Sequence, residues 1–241
     1  MKSPDRIRIF EDAEKIGSLI DPSRNTLYPE SSEYIVRALD IEKNQITKAS
    51  IDNLIGNKCN ERKFQELLKQ DLSIFAEIYA NPNDQYICFS EFPWDNGFID
   101  FVVFTGISRM DVILIEIKGA DFNLINRGHY QKISSKMETA IHQIKQRIGS
   151  IHRNLDSFRK EAHKIRETVE AGKPLYNSLT GPYGNLEVDP NKDINIYPVV
   201  IGGITTNDHI ESKTRQEAEM TFTPRIKIES WNSWLRKIQR K

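Results

Sequence analysis

Few stretches constrain a fold as tightly as Val112-Ile113-Leu114-Ile115-Glu116-Ile117-Lys118-Gly119. Four apolar residues in a row, three of them β-branched, closed by a glycine, specify a buried strand. Glu116 and Lys118 interrupt it two residues apart, so alternation puts both on one face, about 6–7 Å apart along the strand. Burying an unpaired charge costs several kcal/mol. The pair is therefore either an internal ion pair or the edge of a site.

Upstream, Gly97-Phe98-Ile99-Asp100-Phe101-Val102-Val103-Phe104 reads as a second apolar strand carrying one carboxylate. Residues 105–110 make a hairpin-length connection, which lets Asp100, Glu116 and Lys118 converge. Two carboxylates suit a hard divalent cation, Mg²⁺ or Mn²⁺, that keeps its other positions for water and phosphate oxygens. Asp100 and Glu116 are the expected metal ligands, with the Ile117 carbonyl as a third. Lys118 would orient the attacking water or stabilise the pentacovalent phosphate. A glycosidase-like carboxylate pair would have no lysine between its acids.

Asn60 caps a helix on which Glu61, Phe64, Gln65 and Leu68 share one stripe, expected to run on through Leu72, Phe75, Ile78 and Tyr79 to Asn81-Pro82. Glu61 either approaches the metal site or makes a capping contact at the helix N-terminus; Glu66 lies off the stripe. Residues 86–91 form a first core strand, with Glu91 at its surface end. From Tyr130 to Val169, apolar residues with 4-3 spacing specify one long helix, to be covered by a partner within the chain or in a second subunit. Lys136, Ala140, Gln143 and Arg147 line its other face. That face reads as solvated, or, with Lys136 and Arg147, as available for a phosphate. His129, His142, His152 and His163 show no metal-ligand spacing and are expected at the surface or at an interface. Residues 171–193, rich in Gly, Pro, Asn and Ser, read as a mobile loop; their Gly172-Lys173 lacks the rest of a phosphate-binding loop. A buried strand at 195–203, a helix at 207–220, an edge strand at 225–229 and a short helix anchored by Trp231 and Trp234 complete the chain. Residues 1–50, with the short apolar pieces Ile7-Arg8-Ile9-Phe10 and Tyr34-Ile35-Val36, read as a small hairpin or an arm docked on the main domain.

In that order the elements resemble the restriction-endonuclease-like, PD-(D/E)xK, superfamily. Glu61 with Phe64-Gln65-Glu66-Leu67-Leu68, then Gly97-Phe98-Ile99-Asp100-Phe101, then Leu114-Ile115-Glu116-Ile117-Lys118-Gly119 and a late Val199-Val200-Ile201-Gly202-Gly203 are similar to the Shedu anti-phage nuclease family. The likeness spans roughly residues 60–240. It implies an α/β fold: an α/β/α core with a central mixed sheet and a long projecting helix, residues 59–241 forming the nuclease domain and 1–58 an N-terminal arm or small appendage. It also implies a Mg²⁺-dependent deoxyribonuclease, a homo-oligomer (dimer or tetramer), acting on phage or plasmid DNA in bacterial defence. Asp100, Glu116 and Lys118 carry the chemistry on that reading, supported by Gln143 and Glu61. The alternative is a catalytically silent nuclease-fold protein for DNA binding or assembly.

Composition narrows this only a little. With 34 basic and 34 acidic residues the chain has no net positive field, so a DNA contact has to come from a local surface. No stretch is long and apolar enough for a membrane span and no secretory leader is evident, giving a cytoplasmic expectation. Cys59 and Cys88 stand apart, as reduced thiols rather than a zinc site.

Overall fold

Strand alternation organises the computed structural model, which describes residues 32–80, 85–126 and 131–240. The expectations placed on Ile7-Arg8-Ile9-Phe10, Asn81-Pro82, His129 and Tyr130 lie outside the described residues. Three antiparallel strands, β1 (Tyr86–Trp94), β2 (Gly97–Thr105) and β3 (Asp111–Ile117), follow one another with short connections. Two more, β5 (Asn195–Ile201) and β6 (Lys227–Glu229), run parallel to β3 on its far side. A two-residue strand β4 (Leu179–Thr180) pairs with β1, so the mixed sheet is ordered β4-β1-β2-β3-β5-β6.

Each sheet face buries its own set of side chains. Val102, Phe104, Val112 and Leu114 pack against α5 (Ser135–Arg153) and α6 (Leu155–Glu170) through Ile141, Ile144, Ile148, Phe158 and Ile165. Phe101, Val103, Ile113, Ile115 and Ile117 pack on the other side. Their partners there come from α2 (Lys48–Gly56), α3 (Glu61–Leu68), α4 (Ser73–Tyr79) and α8 (Trp231–Leu235). Burying each such Val, Leu, Ile or Phe contributes about 1.5–3 kcal/mol, which outweighs the weak intrinsic helicity of these short segments. The remaining helices are α1 (Ser32–Lys43) and α7 (Asp208–Met220). Among the described residues no helix is long and apolar enough to cross a membrane.

Several expectations are corrected here. The long helix of 130–169 is two helices, because the chain leaves the helical path at Asn154 (φ −131°, ψ 39°), whose side chain donates to the Ser150 carbonyl. The apolar stripe continues past the break and is covered by the sheet, not by a partner helix. Likewise the first helix ends at Leu68, and Asp71 starts α4 by accepting from the Ser73 amide at 3.0 Å. Tyr34, Ile35 and Val36, where a hairpin was one option, lie in α1. His163 is buried rather than superficial. Residues 171–193 are fastened rather than free: Gly181 donates to the Tyr86 carbonyl, Ser108 to that of Glu187, and Leu186 to the Glu170 carboxylate.

Alternation breaks once in β1 and β2, at the same level. Phe89 and Phe92 both enter the α5–α6 core, while Ile99 and Phe101 go to opposite cores. Between them Glu91 takes a left-handed conformation (φ 51°). Asp100 stands opposite it in the register set by Ser90↔Phe101 and Phe92↔Ile99.

Candidate active site

Register brings the carboxylates together. β2 and β3 pair up to Phe101↔Ile115, and one step further the same register sets Asp100 opposite Glu116. Ladder pairing stops there and side chains take over. The Ile117 amide donates to Asp100 Oδ2 at 2.8 Å, and Gln65 Nε2 donates to Asp100 Oδ1 at 3.0 Å. Asp100 is thus fixed through both oxygens, each keeping a free lone pair. Because the Lys118 amide bonds the Ile201 carbonyl on β5, strand geometry turns the Ile117 carbonyl the other way, toward the gap beside Asp100.

Helix α3 reaches this corner because the chain around it is stitched to the end of β3. Ala120 donates its amide to the Cys59 carbonyl at 2.8 Å, just ahead of the Asn60 cap. Gly119 allows the approach: a Cβ on it would lie 2.8 Å from both Asn60 Cα and the Glu61 nitrogen. Glu61 consequently sits 3.1 Å from Lys118 Nζ, which also lies 3.3 Å from Glu116 Oε1. Trp231 Nε1 donates to the Lys118 carbonyl at 2.7 Å, and Gly202 leaves room for the Lys118 Cβ. Glu116 and Lys118 are 9% and 13% exposed and Glu61 38%, so solvent enters past Glu61.

Burial dominates the electrostatics. It pushes the Asp100 carboxyl up to about 6, against the pull of the Ile117 amide and Lys118. Burial and then the neighbouring Asp100 charge push Glu116 up to about 7. For Lys118 burial works downward, but Glu116, Glu61 and Asp100 outweigh it and hold the ammonium above its ordinary value. Two partly desolvated acids that both resist ionisation, Asp100 with Glu61 near it and Glu116 with Asp100 near it, form a site in want of positive charge.

The donor set fits a hard cation with few protein ligands. Among the described residues no three His, Cys, Asp or Glu side chains form a ready cage. Asp100, Glu116 and the Ile117 carbonyl would leave the remaining positions to water and substrate, which is how Mg²⁺ is usually held.

Not every residue singled out from sequence arrives. Gln143 is exposed on α5 and has no hydrogen-bond partner among the described residues, so nothing ties it to Asp100, Glu116 or Lys118. Lys136 pairs with Asp121 at 2.5 Å, and the Arg147 guanidinium packs against Gly97. Glu66 pairs with Arg62 on the outer side of α3. The amide that does touch the carboxylates is Gln65, which also lies 3.3 Å from Glu61 Oε1. Its signal was present: Gln65 is four residues from Glu61 on the same stripe.

No curated protein matches the chain. A family model described as Shedu protein SduA, C-terminal, matches residues 58–235, which span every element that contributes to the corner, and the chain belongs to the Shedu family.

Proposed function

We propose that the chain is a metal-dependent endonuclease that hydrolyses DNA phosphodiester bonds, built on a PD-(D/E)xK site. The observation that carries this reading is the side-by-side placement of Asp100, half-buried, and Glu116, buried, with the Lys118 ammonium 3.3 Å from Glu116. Membership of the Shedu family supports a role in anti-phage defence.

Asp100 and Glu116 would hold Mg²⁺ or Mn²⁺ with the Ile117 carbonyl. Bound there, such an ion supplies a more acidic attacking water and neutralises charge on the phosphate. The Ile117 amide and Gln65 keep Asp100 in one rotamer, so the metal site needs little reorganisation. Lys118 stays protonated near neutral pH, because its neighbours raise its pKa. It therefore acts as a donor to the phosphoryl oxygens or the attacking water, not as a base. Glu61 accepts from Lys118 at 3.1 Å and aims the ammonium across the corner.

The test is incubation of purified protein with supercoiled plasmid and linear duplex DNA, with Mg²⁺, Mn²⁺ or a chelator. Nicking or cutting is expected with metal only, and should vanish in Glu116→Ala and Lys118→Ala while their circular dichroism spectra stay unchanged. Equal cutting by those variants and the parent would remove the catalytic assignment.

A further inference from the structure

Positions four apart along α3 and its end meet three strands in turn. Glu61 meets Lys118 beyond β3, Gln65 meets Asp100 on β2, and Lys69 meets Glu91 on β1. The first two contacts belong to the corner described above; the third does not. Lys69 Nζ lies 2.9 Å from Glu91 Oε1, with the two side chains 30% and 64% exposed.

Stability does not account for this pair. An exposed ion pair adds little to stability, because solvent screens it and two long side chains must be held in place. The left-handed backbone of Glu91 (φ 51°) is itself unfavourable for a residue with a Cβ. Packing explains the turn itself, since it sends Phe89 and Phe92 to one core, but glycine or asparagine would make it at lower cost. What the acid does achieve is to occupy the Lys69 ammonium, which the residue capping the end of α3 presents near the carboxylate corner. Cα atoms of opposed antiparallel residues lie about 5 Å apart, so Glu91 borders Asp100 directly. Lys69 is close enough for its charge to act on Asp100. The end of the helix is fixed, because Asn177 Nδ2 donates to the Lys69 carbonyl at 3.0 Å and the Lys69 amide to that of Gln65.

We propose that Lys69 is a contact for a backbone phosphate of the DNA strand entering the site, and that Glu91 covers it in the free protein. The proposal rests on the nucleic-acid part of the function given above. A phosphate oxygen takes the place of the Glu91 carboxylate on the ammonium, and the carboxylate swings into solvent. The exchange suits a chain with 34 basic and 34 acidic residues. A covered cation adds little to non-specific attraction and is released only by a strand seated against the corner.

The experiment is fluorescence anisotropy with a labelled duplex in chelator, where nothing is cut, for the full chain and for Glu91→Gln, Lys69→Ala and the double variant. Glu91→Gln should bind more tightly and Lys69→Ala more weakly, with a salt slope shallower by about 0.9. That slope corresponds to about a 3.5-fold difference in affinity across a fourfold change in salt. The double variant should match Lys69→Ala, because Glu91 acts through Lys69. The two backbone bonds of residue 69 survive the substitution, so an unchanged melting temperature separates lost contact from lost fold. Tightening by Glu91→Gln that persists without Lys69 would make Glu91 a general repulsive charge and overturn the proposal, as would unaltered binding by Lys69→Ala. A parent that binds DNA in this assay yet cuts none with metal would defeat the nuclease reading alone.

Discussion

Gln65 and Glu116 carry opposite lessons about a buried acid. One amide nitrogen of Gln65 serves both Asp100 and Glu61. Gln65→Met keeps the length of the side chain and removes the donor. Groups that orient a metal ligand are typically worth 10–100-fold in metal affinity. Direct Mn²⁺ titration should therefore show about a tenfold weaker site in Gln65→Met, and unchanged binding would reduce Gln65 to a packing residue. Glu116 stands above its ordinary value of 4.5, at about 7. The folded chain then holds a proton that the unfolded chain releases, so without metal stability falls as pH rises from about 4.5 to 7. Glu116→Gln removes that penalty and leaves Lys118 its contact with Glu61. It should be about 1–3 kcal/mol more stable than the parent in chelator at pH 8 by denaturant melts. A less stable variant would mean that the Lys118 contact outweighs the repulsion.

Where two elements touch, glycines decide whether the corner can close. Gly119 ends the apolar strand run, and its α-carbon lies against the first residues of α3. Gly119→Ala would meet backbone at Asn60 and Glu61 as well as the Asp121 carboxylate, and although that side chain can turn aside, the helix start carrying Glu61 would have to move. About 1–3 kcal/mol of overpacking is expected, with DNA cutting falling more steeply than stability, since a small displacement of Glu61 and Gln65 misplaces Lys118 and Asp100. Melting curves beside nicking rates check this. The strands themselves were legible because alternation and β-branching act locally, and Asp100, Glu116 and Lys118 stood out as charges inside apolar runs. The breaks at Asn154 and at residues 69–72 were not, since the apolar residues on both sides of each break pack into one core and the stripe runs on across it. Gln65 was visible on its stripe, but which strand it faces depends on the Ala120 to Cys59 bond, a contact between residues 61 apart in sequence. Glu91 and Lys69 were invisible as a pair for the same reason.

Between its ends the chain is closed by charge as well as by apolar packing. Trp231 stacks on Phe64 with ring centroids 4.0 Å apart while its indole nitrogen holds the Lys118 carbonyl, so the C-terminal helix braces both α3 and the end of β3. Behind it, Arg240 bonds Glu77 Oε2 at 2.6 Å and also pairs with Asp71, the acid that starts α4. All three side chains are at most 10% exposed. A buried ion network of this kind adds little net stability while intact, but removing one partner strands the others as unpaired charges. Arg240→Ala leaves Asp71 and Glu77 buried without their guanidinium, and the two Ser73 donors on Asp71 are then its remaining partners in this network. A loss of about 3–5 kcal/mol is expected at pH 8. Denaturant titrations of the parent and Arg240→Ala would show it, and a loss under about 1 kcal/mol would mean that the stranded charges carry no penalty.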